Sequence, residues 1–452
     1  MAWARLLFLL LLLVPRAAPA EPFRLSRALG LPESLSLSLE HRVRYEALDD
    51  QFRVGRAGDD DILAIRTLLH GEWRATPQLT FGAEIADSRA YLDDPSTPVG
   101  TSIVNAVELL QAYADLHTDD LLGGRASLRL GRITLNLGSR RFVSRNRSRN
   151  TINGFTGFDG RWRDEAGHEL RAFYVLPLRR RPADRPSIDD DDVQLDKESF
   201  DVQLFGLHGG LELPFGSRLE LQLIGLHEEA GAGSTRNRDL YTPGLRLLRP
   251  PARGRFDYQI ESAVQLGRSR ASATSTVDLD HRAHFHHFEV GYSFAAPWSP
   301  RVALQYDYAS GDEDPDDRDD ERFDTLFGSR RFDFGPTSIY GAFARANLST
   351  PGLRVQVKPG ARVTSFVALR AFWLAERRDA WTTSGVRDPA GRSGRYVGSQ
   401  IDFRLRVDLL PGNVRLETGF AHLFDGGFIE SAPNSNRQGD TSYGYLELTF
   451  RL

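Results

Sequence analysis

Apolar and polar residues alternate with a period of two from one end of this chain to the other. In the stretch 35–46, Leu35, Leu37, Leu39, Val43 and Tyr45 fall on one side. Ser36, Ser38, Glu40, Arg42, Arg44 and Glu46 fall on the other. Successive side chains of a β-strand point to opposite faces, so this pattern predicts ribbons with one greasy and one ionic side. In 255–268, Phe256, Tyr258, Ile260, Val264 and Leu266 likewise oppose Arg255, Asp257, Gln259, Glu261 and Gln265. The alternation returns in 299–309, 338–348, 395–409 and 441–452. Nineteen segments carry it, the faintest being 352–358. No convincing amphipathic helix lies between them, which argues against parallel βαβ units.

A two-faced sheet of this extent has unpaired edges in water and unsatisfied backbone groups in lipid, and closing it removes both problems. The fold expected is all-β: a transmembrane antiparallel up-and-down β-barrel of about 18 strands in a bacterial outer membrane, 352–358 being dropped to keep the number even. Its greasy face meets lipid and lipopolysaccharide, and its ionic face lines a lumen. A secreted sandwich or solenoid carries the same alternation with the apolar face inward, so periodicity leaves that alternative open. Short turns at 76–77, 214–217, 297–300 and 411–413 fit the periplasmic side, and long polar connections such as 178–199, 310–337 and 428–441 the outside.

The first twenty residues read as a signal peptide: Arg5, then Leu6 to Val14 unbroken and apolar, then Ala18-Pro-Ala20 before Glu21. Nine apolar residues are too few to span a bilayer as a helix, and no other stretch approaches eighteen. The expectation is an exported chain forming a single barrel domain over 21–452. Losing Arg5 and Arg16 moves its formal charge from −4 to −6. There is no cysteine, which excludes disulfides and thiolate chemistry. A hydrophobic share of 40% is low for one large soluble core. The leader, the missing cysteines and the aromatic C-terminal strand favour the membrane barrel.

Charge is distributed unevenly. Residues 121–158 hold eight arginines and no acid, namely Arg125, Arg129, Arg132, Arg140, Arg141, Arg145, Arg147 and Arg149. On the inward faces of the clearest strands, by contrast, twelve arginines stand against twelve acids. The lumen is therefore expected to be a balanced ladder with its positive excess in this one segment. A guanidinium is always charged and its planar fork matches a carboxylate. Arginines gathered in a narrow, low-dielectric channel concentrate anions. Two other readings stay open: acids on the wall pair all of them, or they form an external basic loop touching lipopolysaccharide. The anion-binding candidates are Arg129, Arg132, Arg140, Arg141, Arg145, Arg147, Arg149 and Arg161.

Other chemistry is thinner. The acidic loop 312–321 lacks the ligand order of a calcium loop and reads as solvated. Among His281, His284, His286 and His287, a strand puts His284 and His286 on one face and His287 on the other, which is not a compact metal site. No G-x-S-x-G elbow, P-loop or H-E-x-x-H is present. No cofactor, metal or nucleic acid is expected.

Several pieces together resemble the alginate-export outer-membrane barrel family. They are Gly131-Arg132 with Gly138-Ser-Arg-Arg141 and Phe158-Asp-Gly160, then Asp257-Tyr-Gln-Ile-Glu261 with Gln265 and Gly267. Tyr306-Asp-Tyr-Ala-Ser-Gly-Asp312 with Phe323-Asp-Thr-Leu-Phe327 completes the set. The resemblance implies an eighteen-stranded barrel with an arginine-rich constriction near 129–161, exporting an anionic uronate polymer with periplasmic export components as accessory partners. It implies that Arg132, Arg140, Arg141 and Arg145 select the cargo and that Asp159, Glu261 and Asp307 orient or mask them. Pro243, where that family prefers an apolar residue, predicts a kink or a later strand start. An anion-selective diffusion porin for small solutes and an outer-membrane enzyme remain as alternatives.

Overall fold

In the computed structural model, which describes residues 21–56, 58–229, 235–436 and 439–452, eighteen antiparallel strands close into one barrel. The expected signal peptide lies outside the described residues. Each strand pairs with its neighbours in sequence, and the first, Leu35–Asp49, closes the ring on the last, Thr441–Arg451, with His41 opposite Phe450 and Glu46 opposite Tyr445. A nineteenth element, Asp319–Asp320, pairs only with the tip of Leu279–Ser293 and is no part of the wall. Closure leaves no edge, so the wall satisfies its own backbone.

The alternation is inside-out relative to a soluble protein. Arg42 and Arg44 are 3% exposed and Glu46 is fully buried, whereas Tyr45 between them is 39% exposed. Phe256 and Leu304 are exposed by 65% and 59%. The apolar residues form the bare outer face and the ionic ones the interior, as a barrel in lipid requires. No helix among the described residues is long and apolar enough to cross a membrane; the barrel crosses with strands.

Eight connections at one end are short, and nine at the other are longer. Residues 21–34 fold back at the short-turn end, where the Phe23 amide donates to Asn413 Oδ1 at 2.7 Å and Asn413 Nδ2 donates to the Phe23 carbonyl at 2.9 Å.

Two strand assignments change. The faint segment 352–358 belongs to a wall strand, Leu348–Gly360, while 338–348, expected as a strand, is coil up to Asn347. Pro351 and Gly352 weaken the strand signal, yet both keep their register against Tyr306 and Gln305. Residues 338–347 look strand-like because they are packed inside the barrel, with Ile339, Tyr340, Ala342 and Phe343 buried. Pro243 does not delay the start of its strand. The strand Asp239–Arg249 runs through it, paired with Leu223 on one side, and only the ladder to Arg255–Ser269 skips Thr242 and Pro243. The missing N–H interrupts one neighbour only.

The lumen also departs from a purely ionic lining. Three long connections, 134–154, 310–347 and 374–395, turn inward and carry an apolar core into the barrel. Phe343 stacks on Phe372 of the wall at 3.5 Å, and Phe142 meets Phe285 and Phe323 edge-on at 5.9 and 6.0 Å. Burying these rings pins the loops inside, where a solvated loop would sample many positions.

Candidate functional site

The basic segment leaves the wall after Ile133, where Gly124–Ile133 ends, and returns at Phe155. A loop inside a barrel must still satisfy its backbone. Here arginines of the first two strands do so. Arg42 donates to the carbonyls of Arg147 and Arg149 at 3.3 and 2.9 Å, Arg44 to that of Ser148 at 3.1 Å, and Arg66 to those of Arg147 and Arg149 at 3.0 and 2.9 Å. Asn150, fully buried, donates to the carbonyls of Ile65 and Ile103. Wall arginines thus hold loop arginines in place through the main chain, despite the like charges.

The second inward loop, 310–347, meets the first. The Phe327 amide donates to the Phe142 carbonyl and the Ser144 amide to the Phe327 carbonyl, at 2.9 and 3.2 Å. Next to this contact, a methyl group on Gly328 would lie 1.7 Å from the Arg141 carbonyl oxygen. No side chain fits there. Gly328→Ala therefore forces the two loops apart at a cost of about 1–3 kcal/mol. The expected outcome is faster tryptic cleavage after Arg145, Arg147 and Arg149 in the folded protein, with barrel β-structure unchanged.

A buried ionic bolt locks the two loops to the wall. Arg141 reaches Asp333 through Nε at 3.0 Å and Nη2 at 2.8 Å, and Glu261 through Nη1 at 2.6 Å. Arg345 binds the same Asp333, and Arg370 binds Asp307 at 2.8 Å. His287 joins the halves, its Nε2 lying 3.0 Å from Arg141 Nη2 and its Nδ1 2.7 Å from Asp307 Oδ1. A guanidinium only donates, so Nε2 accepts and Nδ1 carries the proton. Three arginines against three acids make the bolt neutral. The donor atoms of His287, Asp307 and Asp333 come close together, but Arg141, Arg345 and Arg370 already supply the positive charge a cation would bring.

Below the bolt lies a cavity of about 630 Å³. Its lining holds eleven arginines and three glutamates: Arg42, Arg44, Arg66, Arg140, Arg145, Arg147, Arg331, Arg404, Arg406, Arg415 and Arg451 against Glu40, Glu417 and Glu447. Glu40 takes Arg66 and Arg451 at 3.0 Å each, and Arg147 as well. Glu417 takes Arg331 at 2.9 Å together with Arg406. Arg140 and Arg404 pair with no carboxylate among the described residues; their guanidiniums lie over Phe332 and Phe366, at 5.4 and 4.6 Å from the ring centroids. A second cavity of about 500 Å³ shares Glu40, Arg145, Arg147 and Arg451 and reaches Arg24, Gly412 and Leu452 at the short-turn end. The arginine-lined space therefore continues toward that mouth.

The eight candidate arginines divide. Arg140, Arg145 and Arg147 line the cavity, Arg145 also pairing with Glu84 at 2.7 Å. Arg141 belongs to the bolt. The side chain of Arg149 is mostly buried in the loop, and its carbonyl serves the wall. Arg129 faces inward near the short turns, bound to Asp115 at 2.5 Å and 4.1 Å over Tyr113. Arg132 shares the outward parity of Leu128 and Leu130 and pairs with Glu108 and Glu198, at 2.5 and 3.0 Å. Arg161 pairs with Asp159 at 2.7 Å. Of the candidate acids, Glu261 and Asp307 sit in the bolt, whereas Asp159 holds Arg161 and Arg171 and none of the four arginines expected for it. The remaining cavity arginines are wall residues, except Arg331 of the second loop. Seven of them belong to the inward ladder that balanced by count: these arginines converge on one cavity, whereas of the twelve ladder acids only Glu40, Glu417 and Glu447 line it, Glu46 and Asp408 reaching it through Arg44 and Arg415.

The histidines follow strand parity: His284 and His286 touch each other at 3.1 Å, while His287 points inward. The acidic loop is less solvated than expected. Asp314 and Asp316 pair with Arg378, Asp320 with Arg236, and Asp312 is buried. Burial, with Asp379 and Asp320 nearby, pushes the Asp312 carboxyl up to about 7.

Residues 33–441 match a family model described as alginate export. No curated protein matches the sequence. Similar solved structures are outer-membrane proteins of Pseudomonas aeruginosa. OccK9 (OpdG) has a TM-score of 0.59 at 15% identity, covering 93% of this chain and 98% of that one. OprD gives 0.55 at 13%, covering 93% and 94%. OpdK, solved with vanillate, gives 0.58 at 13%, covering 92% and 98%. At such identities the likeness is one of fold.

Proposed function

The chain belongs to the alginate export family and is built as an outer-membrane β-barrel, and from that premise we propose that it conducts an anionic polysaccharide of the uronate class through its arginine-lined lumen. One observation carries this reading: eleven arginines and three glutamates meet at one level of the barrel, two of the arginines forming no salt bridge among the described residues. A polymer with one carboxylate per sugar can exchange ion pairs step by step along such a surface. Paired neighbours keep each site weak enough for the chain to move on.

A diffusion porin for small carboxylates is the second reading, favoured by the inward loops that narrow the lumen and by the vanillate carried by the structurally similar OpdK. Planar-bilayer recordings on the purified barrel separate the two. The expected result is a chloride-selective reversal potential under a KCl gradient, together with current block by an oligouronate about tenfold tighter than by the monomeric uronate, a difference of about 1.4 kcal/mol. Equal block by monomer and oligomer would leave only the diffusion porin, and a cation-selective reversal potential would end both.

A further inference from the structure

Among the described residues, Phe332 is the one aromatic side chain in the lining of the arginine cavity. It belongs to the single helical turn Arg331–Phe334 of the second inward loop, and its neighbours are all committed. Arg331 is fixed by Glu417, Asp333 by the bolt, and Phe334 is buried in the apolar core. The Phe332 carbonyl accepts from Arg354 at 2.8 Å, so its backbone is held too. Its ring alone faces the cavity and keeps part of its surface uncovered. In an otherwise ionic lining the uncovered part of this ring has no apolar packing partner.

Three guanidiniums surround the ring at 5.4, 5.4 and 5.5 Å from its centroid, those of Arg140, Arg141 and Arg345. Arg141 and Arg345 are neutralised by Asp333 and Glu261, so only Arg140 has charge to offer. Arg140 lies within the ~6 Å of a cation–π contact, and the ring still keeps part of its surface open to the cavity. The cavity therefore sets a free guanidinium beside a partly open aromatic face.

We propose that Phe332 and Arg140 together form a subsite for one acidic sugar residue, the carboxylate on Arg140 and the C–H face of the pyranose on the Phe332 ring. This rests on the reading of the lumen as an anion path and adds that the site recognises a saccharide rather than negative charge alone. The negative face of an aromatic ring attracts the weakly positive C–H edge of a sugar, whereas citrate or chloride has no such face to present.

The test uses the whole barrel in planar bilayers with three probes: chloride, citrate and a short oligouronate. Phe332→Leu keeps the bulk and removes the π-face, Phe332→Met does the same with a straighter side chain, and Phe332→Tyr restores the ring. The expected result is oligouronate block weakened about tenfold in the Leu and Met variants and retained in the Tyr variant, with citrate block and reversal potential unchanged in all three. Parallel loss of citrate and oligouronate block would show that Phe332 merely props Arg140, and unaltered oligouronate block in both variants would remove the subsite. A wild-type barrel without anion preference would instead overturn the parent reading, a distinct outcome.

Discussion

Replacing Arg140 and Arg404 together by glutamate is expected to lower the anion-over-cation permeability ratio by at least about tenfold, or roughly 1.4 kcal/mol. These two guanidiniums are the ones in the cavity that form no salt bridge among the described residues, so their charge is less compensated than that of their neighbours, most of which share Glu40, Glu417 and Glu447. A unit charge acting on another at about 4 Å through an effective dielectric near 20 is worth about 4 kcal/mol. Screening by salt reduces this figure without erasing it. Pairing Arg140 with Arg141, its neighbour in sequence, is a poorer experiment, because Arg141 is the centre of the buried bolt and its loss moves the loop. The control is Arg132→Gln, which removes a charge paired with Glu108 and Glu198 outside the cavity lining and should leave the ratio unchanged. Reversal potentials under a salt gradient measure both. An unaltered ratio in the double variant would dismiss the cavity as the selectivity element.

Asp333→Asn is expected to have the largest structural effect of any single change. Asp333 is the carboxylate shared by Arg141 and Arg345, and it is the only acid of the bolt that comes from a loop. Removing one partner of a buried pair strands the others, at about 3–5 kcal/mol. The asparagine amide can keep one hydrogen bond, which places the cost at the lower end. The closed wall does not depend on this contact, since every strand is paired on both sides. The loops are therefore expected to undock within an intact barrel. Single-channel conductance should rise several-fold, the open level should become noisy, and trypsin should reach 139–149. Glu261→Gln should give a milder form, because Arg141 keeps both contacts to Asp333. Normal conductance in Asp333→Asn would mean that the apolar core alone holds the loops.

The parts of the molecule legible in its sequence are those with a local cause. A strand that meets lipid on one side and water on the other must alternate, and Leu35 to Glu46 already shows which residues share a face. Seventeen of the eighteen wall strands fall where the alternation places them, and the closing pair of first and last strand follows from the even number. The exception is instructive. Residues 338–347 imitate a strand because a loop folded inside a barrel is buried and takes on a strand's density of apolar residues. The true strand beside them is disguised by Pro351 and Gly352.

The basic segment shows the same division. Its eight arginines without an acid set the segment apart from the rest of the chain. Which of them face the lumen was not legible: Arg140 and Arg141 are adjacent, yet one is exposed to the cavity and the other is clamped by Glu261 and Asp333, some 120 and 192 positions away. Counting inward charges gave a balanced ladder because a count carries no height along the barrel axis. Sequence by itself determined the face of each side chain, the charge of each segment and the class of fold, all of which are set by neighbours a few residues apart. Tertiary structure alone decided which charges meet, because registers of eighteen strands and the inward course of the loops bring Arg42, Arg331, Arg404 and Arg451 to one cavity whose lining holds only three acids.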